Sequence, residues 1–389
     1  MPVRIGTGLS TSPDAREAAL EAGAAARSAL GSAGCDLAVV FASGAHLAAP
    51  ETTLEAVGEA LEPDALIGCG AGGVIGRHQE IEDGTAVSIW AANLGSGSAL
   101  PFHASVEELE EGAGALTGMP ELGGAGGAIM LADPATFPTD AVLRFLSESA
   151  PMVPLLGGLA SGRGIDGGAV LFSGDDVIEH GAVGVRLDGV EVIPCVSQGA
   201  TPIGPELTIT AADGNIIDEL AGRPALEKLR ETIESLEAED LRLVQGGLLM
   251  GIVVDHNKPD YVQGDFLVRG LVGADPATGK VAVAADVHPG QVVRLHARDA
   301  DSADRDLREA LGVRMAALGG RAPAGALLFA CNGRGRQMFS CAHHDAVAVE
   351  EELAGAAAAG FFAAGEIGPV GGENFLHSFT ATVAVFPAT

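Results

Sequence analysis

Lysine and aromatic residues are scarce in this chain of 389 residues. It has one Trp, one Tyr and three lysines, and its 22 basic residues face 52 acidic ones, for a net charge of −30. So acidic a protein is repelled by phosphate backbones and by anionic membrane surfaces. Few rings are available to stack on single-stranded bases. The composition therefore argues against nucleic-acid binding and against attachment to a membrane surface.

Long apolar runs and paired cysteines are also lacking. The longest apolar run, near Leu353–Ala364, is well short of the ~18 residues that span a bilayer. The opening Pro2–Ile5 leads quickly into acidic, Ala-rich sequence, which is not typical of a secretion signal. The five cysteines include no C-x-x-C pair, which indicates a reduced protein without disulfides. We therefore expect a cytoplasmic protein.

Short apolar segments alternate with Ala- and Glu-rich segments, the pattern of an α/β fold. Strands are predicted at Val3–Gly8 and Leu37–Ala42, and helices at Pro13–Leu30 and Glu51–Leu61. Ser12 is the expected N-cap of the first helix. Successive strands without a helix between them, as around residues 169–187, favour mixed sheets over purely parallel ones.

A unit of strand, helix, Gly-rich turn and strand occurs three times, which predicts an internal repeat. The turns lie at Gly68–Gly73, Gly157–Gly162 and Gly365–Gly372. A weaker fourth copy without the helix covers residues 248–287. The alternative is chance, because any α/β protein contains such units. If the repeat is real, the three turns lie in equivalent settings of the fold.

The domain boundary is predicted near residue 200. Ser197–Pro205 is rich in Gly and Pro and separates two α/β blocks. We therefore expect two lobes with mixed β-sheets flanked by helices, built from related β-α-β units, with domains at residues 1–200 and 201–389.

Sequence motifs of common enzymes are missing. The first glycine turn formally fits a dinucleotide fingerprint, but no helix begins there, so a tight turn is favoured. The sequence has neither a P-loop nor a nucleophile elbow. Cys69 stands between two glycines without a base at motif spacing, which favours a buried thiol over a nucleophile. Cys331 and Cys341, with His343 and His344 close by, are separated by nine residues and lack the C-x-x-C spacing of a zinc site.

Two segments near the C-terminus favour ligand binding. Ala330–Arg336 follows an apolar strand, and its glycines and arginines suit capture of a small anion. Gly365–His377 combines a glycine-proline turn with polar side chains. Both strand ends of a β–α–β unit can meet on one side of a sheet, which predicts one shared pocket. The alternative is that Arg334 and Glu366 pair with each other and only brace the turns. The candidate ligand-binding residues are Cys331, Asn332, Arg334, Arg336, Glu366, Asn374 and His377.

These segments also carry a family resemblance. Phe329–Gly335 and Gly365–His377 resemble the FIST C-terminal domain, as do Gly222–Leu226 and Phe266–Gly273. The segments similar to the FIST N-terminal domain are Leu37–Ser43, Leu66–Gly73 and Ala86–Ala92. The resemblance implies an intracellular sensory module of signal transduction that binds small ligands. It implies amino acids as proposed ligands and, for some members, haem.

We therefore expect a sensory protein that binds a small ligand, possibly an amino acid or another small anion, and has no catalytic activity. The sequence predicts no particular cofactor. Two alternatives remain: a haem-binding gas sensor, and a hydrolase that uses Cys69 or Cys331. Only Pro387–Thr389 follow the last predicted strand, so we expect the signal to pass through a separate output protein.

Overall fold

The computed structural model describes residues 2–108, 114–256 and 258–388. It confirms the predicted α/β class, with helices and mixed sheets. The chain divides into two compact units: Met1–Val196, Arg308–Leu376 and Thr380–Thr389 form the first, and Ser197–Leu307 and His377–Phe379 form the second. The chain thus leaves the first unit next to the predicted boundary near residue 200 and returns to it at Arg308. None of the described helices is long and apolar enough to cross a membrane.

Helices and strands alternate irregularly along the chain. Up to Ser197 they are β1 (Arg4–Ser10), α1 (Ala15–Leu30), β2 (Leu37–Ser43), α2 (Pro50–Leu61), β3 (Leu66–Ala71), β4 (Val74–Gly76), β5 (Gln79–Ile81), β6 (Ala86–Asn93), β7 (Ser98–Glu108), β8 (Gly114–Thr117), β9 (Gly127–Ala132), α3 (Thr139–Ser149), β10 (Leu155–Leu159), β11 (Leu171–Ser173), β12 (Asp176–Ile178), β13 (Ala182–Asp188) and β14 (Ile193–Ser197). They continue as β15 (Ala200–Asp213), β16 (Ile216–Leu220), β17 (Arg223–Pro224), α4 (Ala225–Glu234), α5 (Ala238–Leu243), β18 (Leu248–Val253), β19 (Phe266–Asp275), β20 (Lys280–Val283), β21 (Val292–Arg298) and α6 (Ala300–Ala317). The last are β22 (Pro323–Cys331), α7 (His344–Glu352), β23 (Ala358–Ala363), β24 (Glu366–Val370), β25 (Glu373–His377) and β26 (Ala381–Pro387).

Helix α1 shows how the local sequence sets an element. The predicted cap was wrong: Asp14, not Ser12, accepts the backbone N–H of Glu17, at 2.8 Å. Because the helix begins at Ala15, the N-cap position is occupied by Asp14, and Ser12 lies two residues before it. The alanine face of α1 lies directly on β1, since a Cβ at Gly8 would fall 1.8 Å from the Ala22 carbonyl oxygen.

The first unit contains three copies of one β–α–β arrangement. The copies are β2–α2–β3, β9–α3–β10 and β22–α7–β23, and the two strands of each copy are parallel neighbours. A later strand, β6, β13 or β26, returns antiparallel to the first strand of its copy. An outer strand, β1, β7 or β14, then pairs with the returning strand.

A crowded glycine marks the same position in each copy. A Cβ at Gly68, Gly157 or Gly360 would lie 2.2, 1.8 or 1.7 Å from the carbonyl oxygen of the residue opposite on the parallel strand. The turns that follow these glycines occupy equivalent settings, as the repeat hypothesis requires. The third turn was misplaced, however: the equivalent stretch is Gly360–Gly365, and the predicted Gly365–Gly372 instead covers β24. The fourth copy expected over residues 248–287 is not one, because its strands β18 and β19 pair antiparallel.

After each glycine turn the chain leaves its own sheet and joins that of another copy. Strand β4 of the first copy pairs with β23 of the third, β24 of the third pairs with β10 of the second, and β11 of the second pairs with β3 of the first. The exchange is cyclic. The three sheets share one core, in which the rings of Phe41 and Phe361 stack at 5.0 Å and those of Trp90 and Phe386 lie 4.9 Å apart.

The second unit is built on one seven-stranded sheet in the order β15-β21-β18-β19-β20-β16-β17. Its described strand pairs are antiparallel. Helix α4 packs on this sheet and contributes to the second unit's own apolar core. In chain order this segment lies between β14 and β22. These two strands correspond to β1 and β2 of the first copy, which are connected through α1. The second unit is thus an insertion into the third copy.

The crowded glycines give the first prediction. Gly68→Ala and Gly360→Ala should each destabilise the protein by about 3 kcal/mol or more, because a methyl group cannot fit beside the opposing carbonyl without moving a central strand. The matched control is Gly58→Ala in α2, where a Cβ meets nothing within 4 Å. That change should stabilise the protein by about 0.5–1 kcal/mol. Urea unfolding measures all three, and equal effects at the three positions would contradict the strand geometry.

Candidate functional site

The carboxyl ends of β3, β10 and β23 meet in the first unit. We call the three segments involved, Gly70–Gly73, Leu159–Gly162 and Phe362–Gly365, the glycine junction. Backbone groups and one hydroxyl join the segments: Gly162 N to Gly70 O (3.1 Å), Gly72 N to Ser161 Oγ (2.9 Å), Phe362 N to Gly73 O (3.0 Å) and Ala364 N to Leu159 O (3.0 Å). The junction lies at the edge where open α/β sheets bind their ligands.

The three copies differ in the side chains that they place beside the junction. Two positions, one at the end of the first strand and one after the glycine turn, face each other in the second and third copies. In the second copy they form an ion pair, with Arg163 Nη1 2.6 Å from Asp133 Oδ1. In the third copy the Cys331 side chain interacts with the Glu366 carboxyl and acts to lower its pKa. The first copy has Ser43 and the apolar Val74 at these positions.

Arg334 is held inside the protein by Asp345, and both side chains are 0% exposed. Arg334 Nε donates to Asp345 Oδ2 at 2.6 Å, and Nη2 donates to Oδ1 at 2.8 Å. The guanidinium also lies 5.2 Å from the centre of the Phe339 ring. Burial acts to raise the pKa of Asp345, but the charge and hydrogen bonds of Arg334 outweigh it and hold that pKa well below its usual range. The internal acid that pairs with Arg334 is therefore Asp345.

Glu366 is a fully buried carboxyl. Its Oε2 accepts hydrogen bonds from the backbone N–H and the hydroxyl of Thr380, at 3.1 and 2.8 Å. Burial raises the pKa of Glu366 to about 8, although Thr380, the positive charge of Arg334 and the Cys331 thiol act to lower it. The Cys331 sulfur in turn accepts the backbone N–H of Gly333, at 3.4 Å. Glu366 is thus mostly protonated at neutral pH.

Arg334, Asp345 and Glu366 form a buried cluster, and Glu80 of β5 belongs to it as well. Its Oε1 accepts the backbone N–H of Ala346 in α7 at 2.9 Å, and its own N–H donates to His343 Nδ1 at 2.9 Å. Burial, and then the charge of Asp345, raise the pKa of Glu80 to about 7. The sequence reasoning missed both Glu80 and Asp345. Asp345 opens a helix, where acidic residues are common, so no local pattern distinguishes it.

The remaining predicted residues lie in different surroundings. Asn332 is exposed at the junction, with its Oδ1 4.0 Å from where a Cβ at Gly72 would be. Arg336 is exposed, and its N–H donates to the Glu82 carboxylate at 3.0 Å. Asn374 is buried and bonds the backbone at Leu155 N (2.9 Å) and Val153 O (3.0 Å). His377 is buried and belongs to the second unit.

The structure thus brings together Cys331, Asn332, Arg334 and Glu366, while Asn374 fastens a strand of the second copy. A ligand contact for any of the seven residues stays a prediction. Cys69 is fully buried, and burial raises the pKa of its thiol, which disfavours a nucleophilic role. Within the described residues no group of His, Cys, Asp and Glu could hold a metal ion.

Comparison with known proteins identifies the family. Residues 36–223 match the FIST N domain, and residues 225–369 match the FIST C domain. The chain belongs to the FIST family. FIST domains are associated with sensory and signal-transduction roles. The FIST C match contains Cys331, Asn332, Arg334 and Glu366, the four predicted residues that the fold brings together.

Two relatives align along nearly the whole chain. The uncharacterized protein Mb0898c of Mycobacterium bovis is 45% identical over 386 residues, which cover 99% of both chains. The uncharacterized protein Rv0628c of Mycobacterium tuberculosis is 45% identical over 386 residues, which cover 99% of this chain and 100% of the relative. The family resemblance inferred from the sequence is confirmed.

The Arg334–Asp345 pair gives the second prediction. Arg334→Ala should destabilise the protein by about 3–5 kcal/mol, because Asp345 would remain buried without a countercharge. Arg16→Ala is the control: it breaks an exposed pair with Glu59 and should cost at most about 1 kcal/mol. The double variant Arg334→Met with Asp345→Leu should recover most of the loss. Urea unfolding provides the values, and an Arg334→Ala protein as stable as wild type would show that the pair does not support the fold.

The buried carboxyls give the third prediction, on pH. Glu80 and Glu366 have ordinary pKa values of 4.5 and folded values of about 7 and about 8. The folded state therefore keeps protons that the unfolded chain releases, so stability falls as pH rises through these folded values. The urea midpoint should decrease between about pH 5 and pH 9. Glu366→Gln should flatten this decrease and the exposed Glu51→Gln should not; an unchanged slope in Glu366→Gln would contradict the assignment.

Proposed function

We propose that this chain is a sensory protein that binds a small ligand at the glycine junction and passes the signal to a separate output protein. One observation carries the proposal: the fold places the buried Arg334–Asp345 pair and the Cys331–Glu366 contact next to the glycine junction at the carboxyl ends of parallel strands, where the Asn332 side chain is exposed. This edge of an α/β sheet is the usual place for a ligand.

The energetics of the cluster support a functional role. A buried ion pair is seldom more stable than apolar side chains of similar size, so it is weak as a stabilising device. Ionisable groups with strongly shifted pKa values also collect at functional sites, and Glu80, Asp345 and Glu366 all have shifted values. A functional site that responds to its surroundings therefore explains the cluster better than a purely structural role does.

The exposed groups at the junction favour a small polar ligand. The side-chain amide of Asn332 is exposed and makes no hydrogen bond to the described residues, so it can both donate and accept. Arg163 is about one-third exposed, and only its Nη1 is engaged by Asp133. An amino acid suits this set, because its carboxylate can meet the guanidinium of Arg163 while its ammonium or side chain meets the Asn332 carbonyl.

The fourth prediction tests this site. A thermal-shift screen of amino acids, small organic acids and haem should give at least one stabilising compound, because a ligand that binds only the folded state raises its stability. By calorimetry, Asn332→Ala should weaken the binding of that compound by about fivefold to tenfold, the effect of one lost hydrogen bond. Ser28→Ala, exposed on α1, is the control and should bind as wild type does.

Two results would contradict the proposal: a screen without any stabilising compound, or a hit that Asn332→Ala binds as tightly as wild type. A hit confined to haem, with a Soret band, would instead support the haem-binding alternative.

A cysteine-dependent hydrolase is the second candidate, and the Cys331–Glu366 contact favours it. Cys331 is partly exposed and interacts with the Glu366 carboxyl, which can take the thiol proton only after it has lost its own. Cys331→Ser separates the two functions. A sensor variant keeps its ligand affinity within about twofold, whereas a hydrolase variant loses turnover of an ester substrate while still binding it.

A further inference from the structure

A second polar site lies on the first unit, at the other end of α7 from Asp345. A cavity of about 630 Å³ opens there, a volume within the range of small-molecule sites. Its polar lining includes Thr7 of β1, Thr11, Arg77, His78 and Glu350 of α7. None of these residues belongs to the glycine junction or to the buried cluster beside it.

The turn between β4 and β5 supplies two basic side chains to this cavity in a costly conformation. Arg77 and His78 both have left-handed backbones, with φ of 50° and 60°. Two-residue hairpin turns of this kind favour Asn-Gly, because glycine adopts positive φ without a steric penalty. Strained positions that keep large polar side chains are characteristic of binding sites.

Glu350 fixes the orientation of His78. Its Oε1 accepts the backbone N–H of His78 at 3.0 Å, and its Oε2 lies 2.7 Å from His78 Nδ1. The Glu350 side chain is only 5% exposed, so this anchor is firm, whereas the His78 side chain is 62% exposed. With Nδ1 engaged, Nε2 is the ring nitrogen that remains for a further contact.

Some exposed arginines of this acidic chain have an ion-pair partner, and others, such as Arg77 and Arg144, have none among the described residues. Arg16, Arg223 and Arg321 each pair with a glutamate. Within the described residues, Arg77 has no ion pair and no hydrogen bond, although it lines the cavity and its charge acts to lower the pKa of the neighbouring Glu350. Its guanidinium is therefore available, and the planar fork of donors suits a carboxylate or a phosphate group.

We infer that this cavity binds a small oxyanion, a carboxylate or phosphate group of a small molecule. The guanidinium of Arg77 is the main contact, and the hydroxyls of Thr7 and Thr11 are the remaining donors. This site is additional to the one proposed at the glycine junction and does not depend on it. Both sites involve α7, which carries Asp345 near its start and Glu350 near its end.

The test is calorimetric titration of the whole chain with succinate and with inorganic phosphate, compared with sodium chloride at equal ionic strength. The key variant is Arg77→Gly, because glycine fits the left-handed turn and the variant should melt at or above the wild-type temperature. We expect saturable binding of succinate, phosphate or both by wild type, and at least about tenfold weaker binding by Arg77→Gly. Arg144→Ala, which removes an exposed arginine of α3 outside the cavity, should bind as wild type does.

Comparison of the two anions shows which group the site prefers. The proposal is overturned if neither anion binds saturably, if Arg77→Gly binds as tightly as wild type, or if chloride or Arg144→Ala reduces binding to the same extent. Asn332→Ala should leave this binding unchanged, so failure here and failure of the junction proposal are distinguishable.

Discussion

The cyclic exchange of strands is the constraint on which the first unit depends. Each copy completes its sheet with a hairpin strand from another copy, so no copy has a complete sheet of its own. The crossing occurs immediately after a strand in which a glycine lies against a neighbouring carbonyl, as at Gly68 and Gly360. A side chain at these points would separate the central strands from which the exchanged strands continue.

The exchange also assembles the candidate site. The β4–β5 hairpin follows the first glycine turn, yet Glu80 on this hairpin bonds to α7 of the third copy. There it meets Asp345, which neutralises Arg334. Glu80 thereby shares one dry environment with Arg334, Asp345 and Glu366 of the third copy, in which burial raises the pKa of Glu80 and Glu366 while the charge of Arg334 lowers that of Asp345. The chemistry of the third copy differs from that of the others although its backbone path is the same.

Helix α7 links the two proposed sites physically. It has nine residues, with Asp345 in its first turn and Glu350 in its last. Asp345 holds Arg334 beside the glycine junction, and Glu350 holds His78 at the polar cavity. Both anchors are almost completely buried, so the position of the helix is fixed from both ends.

The sequence by itself determined the α/β class, the three β–α–β copies, two of their three glycine turns and the family. All of these follow from local signals: apolar periodicity, glycine at turns, and motif spacing. It also indicated Cys331, Arg334 and Glu366 as neighbours, because both strand ends of one copy meet at one edge of a sheet. The exact helix cap escaped it, since Ser12 and Asp14 are both competent caps and only the start of α1 decides between them.

Only the tertiary structure decided which strands are exchanged and which acid pairs with Arg334. It also showed that Asn374 fastens backbone at Leu155, 219 residues away in sequence, and does not lie with Arg334 in the cluster. The contact between Glu80 and Ala346 joins residues 266 apart. Pairings over such distances depend on how completed sheets pack against each other, and composition, periodicity and spacing along one chain carry no information about them.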